Sequence, residues 1–457
     1  MSTSDFSSLK LHPGLLKNLG SLGYESMTPI QALSLPAILD GKDVIGQGKT
    51  GSGKTAAFGL GLLHKLDVKS YKVQSIVLCP TRELADQVSV EIRNLARAIH
   101  NIKILTLCGG APFGPQIGSL EHGAHIVVGT PGRIEEHLRK KTLKLDHVEM
   151  LVLDEADRML DMGFQDAIDD IVEKIPDNRQ TLLFSATYPQ EIEDIAMRVM
   201  NNPVVVNAPS TDEESTIKQY FYQINTDDER MNALRILLAK HKSESTLVFC
   251  NTKLDTQDVA DELVHYGFYA LAIHGDLDQR ERDQALIRFS NKSVSVLVAT
   301  DVAARGLDID ALDLVVNFNV AHDPEVHVHR IGRTGRAGRS GIAATLFNDR
   351  ETRKLDALEI DVTADELPSD SYLDKPIKRP EMTTLKIDGG KKQKLRPGDI
   401  VGGLTGKDGI PGTAIGKITV SSNWSYVAVE SGLVKAALLK IQNDKLKGKT
   451  FRVRILS

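Results

Sequence analysis

From residue 75 onward the chain alternates short, largely apolar runs with amphipathic stretches. The runs occupy residues 75–79, 104–108, 126–128, 150–153 and 181–184, and each ends in a polar cluster. The stretch 83–100 places Leu84, Val88, Ile92, Leu95 and Ile99 on one face of a helix. Continuous apolar runs between amphipathic helices predict a parallel sheet covered on both sides. Upstream, residues 6–31 read as a helical opening, with Leu9, Leu15, Leu16, Leu19 and Leu22 spaced for one face and a break at Gly23.

Residues 201–216, rich in Pro, Asn, Asp, Glu and Ser, predict a linker, after which the layout returns. Runs at 246–250, 270–273 and 296–299 lead to Asn251-Thr252, His274-Gly275 and Thr300-Asp301. They parallel Pro80-Thr81, Gly109-Gly110 and Thr130-Pro131 of the first half, which indicates a duplicated α/β domain. Residues 363–382 carry Pro368, Pro376 and Pro380 among charges and predict a second linker, spanning about 25 Å if flexible. The remainder predicts strand 384–387, helix 399–404, strands 415–420 and 426–429, helix 434–442 and strand 450–455. That βαββαβ order is the layout of an RNA-recognition motif, although only Trp424 and Tyr426 supply aromatics near its third strand.

The expected organisation is therefore α/β throughout. One parallel-sheet domain occupies 1–208 and a second 214–362, followed by a linker over 363–382 and a small tail domain over 383–457. A length of 457 residues requires several cores. With 41% apolar residues, one Trp and no apolar run of spanning length, the composition argues against a membrane protein. The first residues show no basic-then-apolar secretory pattern. Cys79, Cys108 and Cys250 are an odd number at wide spacing, neither a disulfide framework nor a zinc site, which fits a reducing cytoplasm. They read as small buried apolar residues at strand ends.

The net charge of −5 conceals an asymmetry. From Thr383 onward there are fourteen Lys/Arg against five acids, a tail of +9 on a body of −14. Such a basic module suits a polyanion.

The chemistry centres on Gly48-Lys49-Thr50-Gly51-Ser52-Gly53-Lys54-Thr55, which satisfies G-x-x-x-x-G-K-[ST] at every fixed position. Small residues let backbone N–H groups turn around a phosphate, Lys54 reaches the outer phosphates, and the Thr55 hydroxyl suits Mg²⁺. The other strand ends carry Pro80-Thr81-Arg82, Gly109-Gly110, Thr130-Pro131-Gly132-Arg133, Asp154-Glu155-Ala156-Asp157 and Ser185-Ala186-Thr187. In a parallel sheet the ligand lies at these ends. Asp154 is placed to hold Mg²⁺ and Glu155 to orient or deprotonate the attacking water. Arg330, Arg333 and Arg336, at spacing three, offer charge to a transferring phosphate, with a basic surface turn as the plainer reading of Arg330.

These residues, in this order, resemble the DEAD-box family of ATP-dependent RNA helicases over residues 1–360. The resemblance implies two RecA-like domains and ATP with Mg²⁺ as cofactors. It makes Gln31, with Phe6 upstream, an adenine-reading motif, although Met27 stands where Pro is usual and Lys49 where Gln is common. It also makes Pro80, Thr81, Arg82, Gly109, Gly110, Thr130, Pro131, Gly132, Arg133, Gln279, Arg282 and Thr300 RNA contacts. Asp308 becomes a ribose contact, and Arg333 and Arg336 arginine fingers. Ser185-Ala186-Thr187 would couple ATP state to RNA binding. In the family, ATP closes the two domains on a short duplex and phosphate release reopens them.

The tail run from Lys386 to Lys392, then Arg396-Pro397-Gly398-Asp399, and Lys447-Gly448-Lys449 followed by Arg452 and Arg454, is similar to the RNA-binding domain of the bacterial DbpA subfamily, which implies recognition of hairpin 92 of 23S rRNA during late large-subunit assembly. Lys391, Lys392, Arg452 and Arg454 are the expected basic surface. A cytoplasmic monomer is expected. The alternative reading is an ATP-gated RNA clamp or scaffold that hydrolyses slowly, although such a clamp would not require Glu155.

Overall fold

The computed structural model describes residues 5–48, 51–188, 190–208, 217–304, 312–335, 340–358 and 362–456. They form two compact units, one within residues 5–208 and one within residues 217–456.

The strands of the first unit are β1 (Val44–Gln47), β2 (Ser75–Leu78), β3 (Ile104–Leu107), β4 (Ile126–Gly129), β5 (Met150–Asp154), β6 (Gln180–Ser185) and β7 (Val204–Asn207). They pair in parallel in the order β3-β4-β2-β5-β6-β1-β7. Every residue of β2, β4, β5 and β6 is buried, as covering both faces demands. Successive strand residues alternate between two apolar layers. Val77, Val128, Val152 and Leu182 enter one, while Ile76, Val127, Leu151 and Leu183 enter the other.

The helix Arg82–Leu95 begins where Thr81 Oγ1 accepts the Leu84 amide at 3.3 Å, and it buries Leu84, Val88, Ile92 and Leu95. Ile99 lies beyond it, after the turn tightens at Ala96–Ala98. The opening is two helices, Pro13–Ser21 and Pro29–Leu39, each started by a proline. Residues 204–207, assigned to a linker from composition, instead form the edge strand β7 against β1. Asn201, Asn202 and Pro203 just before it masked a run of three valines.

The second unit contains β8 (Ile217–Gln223), β9 (Thr246–Cys250), β10 (Ala270–Ile273), β11 (Val296–Thr300), β12 (Leu314–Asn317) and β13 (Gly341–Phe347), parallel in the order β10-β11-β9-β12-β13-β8. The tail adds an antiparallel sheet of β14 (Met382–Ile387), β15 (Ile415–Val420), β16 (Ser425–Glu430) and β17 (Val453–Ile455), ordered β15-β16-β14-β17. Helices Pro397–Thr405 and Val434–Asn443 pack Ile400, Leu404, Ala437 and Ile441 against Leu385, Ile387, Val427 and Val429. The expected βαββαβ order is present.

The linker before the tail is not a loose tether. The Asp365 amide donates to Phe221 O and the Phe221 amide to Asp365 Oδ2, both at 2.7 Å. Leu367 and Ile377 pack on the core of the second helical sheet, and Lys378 Nζ lies 3.2 Å from Glu244 Oε1. The tail itself is seated on this domain: Thr384 Oγ1 meets Asn291 Nδ2 at 3.1 Å and Ser293 Oγ at 2.7 Å, and Lys417 Nζ donates to Ser290 Oγ at 3.3 Å. The Arg280 guanidinium lies 5.2 Å from the Trp424 ring centroid. Lys386 and Tyr426, on the outer face of the tail sheet, are each only 1% exposed. Scattered apolar anchors among charges, invisible to a compositional reading, make the strap.

Candidate functional site

β1 ends at Gln47, and the Gly48 amide donates to Ser185 O at 3.0 Å, fixing the start of the phosphate loop on the end of β6. Gly51 (φ 82°) and Gly53 (φ 94°) adopt left-handed conformations. A Cβ on Gly53 would approach Gln31 Nε2 to 2.4 Å. The helix Lys54–Lys65 follows, so its free N–H groups face the loop. Lys54 is buried and its Nζ donates to Gly48 O at 2.7 Å. Ser52 Oγ is buried without a partner among the described residues, as a cradle built for phosphate oxygens allows. Lys49 and Thr50 lie outside the described residues.

Gln31, expected to read adenine, braces this loop: its Oε1 accepts the Thr28 amide at 2.9 Å and its Nε2 donates to Gly53 O at 3.1 Å. Phe6 is buried, edge-on to Tyr24 with centroids 6.2 Å apart.

Asp154 ends β5, 3% exposed, and burial pushes its carboxyl up to about 7 against the opposing pull of Lys54. A cation there would restore its charged form, so Asp154 and the hydroxyl of Thr55, the residue after Lys54, fit a divalent ion. Glu155 takes φ 52°, ψ 53°, uncommon for a non-glycine residue, and starts the helix Ala156–Asp161. Its Oε2 lies 3.1 Å from Arg158 Nη1. Asp157 Oδ2 accepts the amides of Ala186 and Thr187 at 3.1 and 3.0 Å and the Thr187 hydroxyl at 3.1 Å. Burial raises the Asp157 carboxyl, but bonds from Thr187 and Ser185 together with the charges of Lys54 and Arg158 outweigh it and the net shift is downward. The acidic quartet is thereby tied to Ser185-Ala186-Thr187.

The expected RNA-contact residues of this unit line the ends of β2, β3 and β4. Pro80 and Thr81 follow β2, Gly109 and Gly110 follow β3, and Thr130 to Arg133 open the helix Pro131–Arg139. Gly110 takes φ 72°, a left-handed conformation that favours glycine, and lies under the Arg82 guanidinium. Cys79, Cys108 and Cys250 are buried at strand ends, as expected.

In the second unit Gln279 and Arg282 lie on the first turns of the helix Gln279–Ser290, and Thr300 closes β11 with its hydroxyl facing the Ala303 amide. Arg330 is not a surface turn residue. It is 1% exposed, its Nε and Nη2 donate to Asp301 at 2.6 and 2.7 Å, and Nη2 also reaches Asn251 Oδ1 at 2.7 Å. Arg333 is 5% exposed and its carbonyl accepts the Leu312 amide at 3.1 Å. Asp308 and Arg336 lie outside the described residues. In the tail Lys391, Lys392, Arg452 and Arg454 are all exposed, the lysines in the turn Lys391–Gln393 after β14 and Arg454 on β17 opposite Lys386. Arg158 escaped the sequence reading, although its position three residues after Glu155 on a helix was the available signal.

A phosphate loop, an Asp-Glu-Ala-Asp turn on one parallel sheet, and a second parallel sheet with an arginine-rich turn define a nucleotide-hydrolysing helicase of the two-domain class. Comparison with known proteins agrees. Residues 28–195 match the DEAD/DEAH box helicase family, 229–338 the helicase conserved C-terminal domain and 384–455 the DbpA RNA binding domain. The chain is 55% identical over 456 residues to the ATP-dependent RNA helicase DbpA of Escherichia coli (strain K12), spanning 99% of each. It is 46% identical to the ATP-dependent RNA helicase CshA of Listeria monocytogenes serovar 1/2a, across 78% of this chain and 68% of that one. The solved structure of S. cerevisiae Dbp5 bound to RNA and ADP BeF3 is similar with a TM-score of 0.70 at 29% identity, covering 78% of this chain and 92% of the other.

The chain belongs to the DbpA subfamily of DEAD-box ATP-dependent RNA helicases. No helix among the described residues is long and apolar enough to cross a membrane.

Proposed function

We propose that this helicase is directed by its tail to 23S rRNA, at hairpin 92, and opens nearby helices during late assembly of the large ribosomal subunit in the cytoplasm. The observation that carries this reading is the resemblance to the E. coli DbpA helicase along the whole chain, tail included, rather than along the helicase domains alone. The tail's charge of +9 suits a folded RNA.

In the catalytic step Lys54 and the phosphate-loop amides bind the ATP phosphates. Thr55 and Asp154 would hold Mg²⁺, which when bound would supply positive charge to the phosphates. Glu155 accepts a proton from, or orients, the attacking water. Arg333 and Arg336 supply positive charge to the transferring phosphoryl group. Pro80 to Arg82, Gly109-Gly110, Thr130 to Arg133, Gln279, Arg282 and Thr300 grip the RNA backbone, while Lys391, Lys392, Arg452 and Arg454 form the targeting surface.

The test is steady-state ATPase activity without RNA, with a generic RNA, and with a 23S rRNA fragment carrying hairpin 92. Stimulation by the ribosomal fragment alone supports the targeting. Equal stimulation by any RNA removes it, and none by either RNA favours a slow ATP-gated clamp.

A further inference from the structure

We propose that Gln116 is a positioning residue for RNA binding, aiming the Arg133 guanidinium at the nucleic-acid backbone. The inference rests on the reading of Arg133 as an RNA contact.

Gln116 lies in the helix Phe113–Glu121 and is 8% exposed, although a glutamine on a short helix would ordinarily face water. Its amide bridges two of the segments expected to grip RNA. Nε2 donates to the carbonyl of Cys108, the residue before Gly109-Gly110, at 3.0 Å. Oε1 accepts Arg133 Nη1 at 3.1 Å and His137 Nε2 at 2.9 Å, filling both lone pairs. The imidazole completes the frame. It is buried and stacked on Phe113 with centroids 4.2 Å apart, and its Nδ1 lies 2.8 Å from Thr142 Oγ1. Burial, then Arg133, push its pKa down to about 4, so the ring stays neutral with one N–H for Gln116.

Arg133 is held on three sides. Nη1 is shared between Gln116 and Ala111 O at 3.1 Å, Nε lies 3.1 Å from Glu136 Oε2, and the Phe113 ring centroid is 5.4 Å from the guanidinium carbon. No described residue bonds Nη2, which leaves that edge of the fork for a phosphate oxygen. Freezing a long side chain before RNA arrives removes an ordering penalty from binding. Glu136 alone would not select this orientation, because it also pairs with Lys140 Nζ at 2.7 Å.

A merely structural Gln116 would alter stability but not RNA affinity, so the experiment separates the two. In full-length protein with a non-hydrolysable ATP analogue, binding of a fluorescent single-stranded oligouridylate is measured for Gln116→Met, Arg133→Ala and the double variant. Gln116→Met should weaken binding about tenfold, with nucleotide affinity within twofold of the parent. The double variant should bind within twofold of Arg133→Ala, because the two residues act through one contact. Parent-like RNA affinity in Gln116→Met, or effects that multiply in the double variant, would overturn the proposal.

Unchanged affinity in Arg133→Ala would instead sink the RNA-contact reading; a weakened Gln116→Met beside it would show that the amide acts by another route. If Gln116→Met fails to fold, Gln116→Glu keeps both acceptor positions and should bind RNA within about threefold of the parent. A tenfold loss there overturns the proposal too.

Discussion

Arg158 Nη1 lies 3.1 Å from Glu155 Oε2, with the two side chains 3% and 7% exposed. The same guanidinium is among the charges that lower the Asp157 carboxyl, and Asp157 in turn holds the amides of Ala186 and Thr187. One buried cation thus stands between the carboxylate assigned to hydrolysis and the segment assigned to coupling. An ionised Glu155 in so enclosed a place needs such a partner.

Glu155→Gln keeps the shape of the turn and removes the proton acceptor. ATP-dependent RNA binding should persist while turnover falls by about 10²-fold or more. Parent-like phosphate release in a single-turnover assay would end the role given to this carboxylate.

Arg158→Met leaves the Glu155 charge buried and unpaired. Loss of a buried partner predicts destabilisation of about 3 kcal/mol, read by urea denaturation. Turnover should also fall, because Glu155 loses the group that sets its direction. Arg158→Lys, which lacks the planar fork, should recover stability better than turnover.

The architecture was legible because parallel strands buried on both faces must be continuous apolar runs, and residues 75–78, 126–129 and 150–154 show them openly. The phosphate loop was legible because its glycines answer a backbone need, met here at Gly51 and Gly53. Side-chain bridges were not. Gln116 and the strap of Asp365, Leu367 and Ile377 depend on which segments the fold brings together, and no local spacing encodes that, whereas the Glu155–Arg158 pair sits at a helical spacing of three. Arg330 looked like a surface cation because its partners, Asp301 and Asn251, are remote in sequence.

The covered face of the tail sheet yields a further expectation. Tyr426 Oη and Lys386 Nζ are buried without hydrogen-bond partners among the described residues, although Lys386 Nζ lies 4.6 Å from the Trp424 centroid. Tyr426→Phe deletes an unsatisfied hydroxyl, so stability should stay equal or rise by up to about 1 kcal/mol. Affinity for the 23S rRNA fragment should remain within twofold. A large loss of RNA affinity would mean that the hydroxyl reads RNA and that the face opens.

Two buried histidines contribute to the acid sensitivity of the fold. His137 in the first unit and His327 in the second are each pushed down to about 4, by burial first and then by Arg133 and Arg330 respectively. His327 Nε2 also pairs with Gln219 Oε1 at 2.9 Å. In the unfolded chain each imidazole takes up a proton near its ordinary value of about 6.5. The folded protein refuses that proton until about 4, so the unfolded state binds more protons between these limits. The stability these two groups contribute is therefore complete above about 6.5 and lost as pH falls towards 4. Asp154 in the first unit, raised to about 7, opposes His137 there, so the test is the second unit: its denaturation midpoint, measured from pH 8 to pH 5, should be flat above neutrality and then decline. His327→Gln, which can still hydrogen-bond but cannot take up a proton, should reduce the slope of the second unit's transition by up to one proton. An unchanged slope in that variant would show that His327 is already charged in the folded protein.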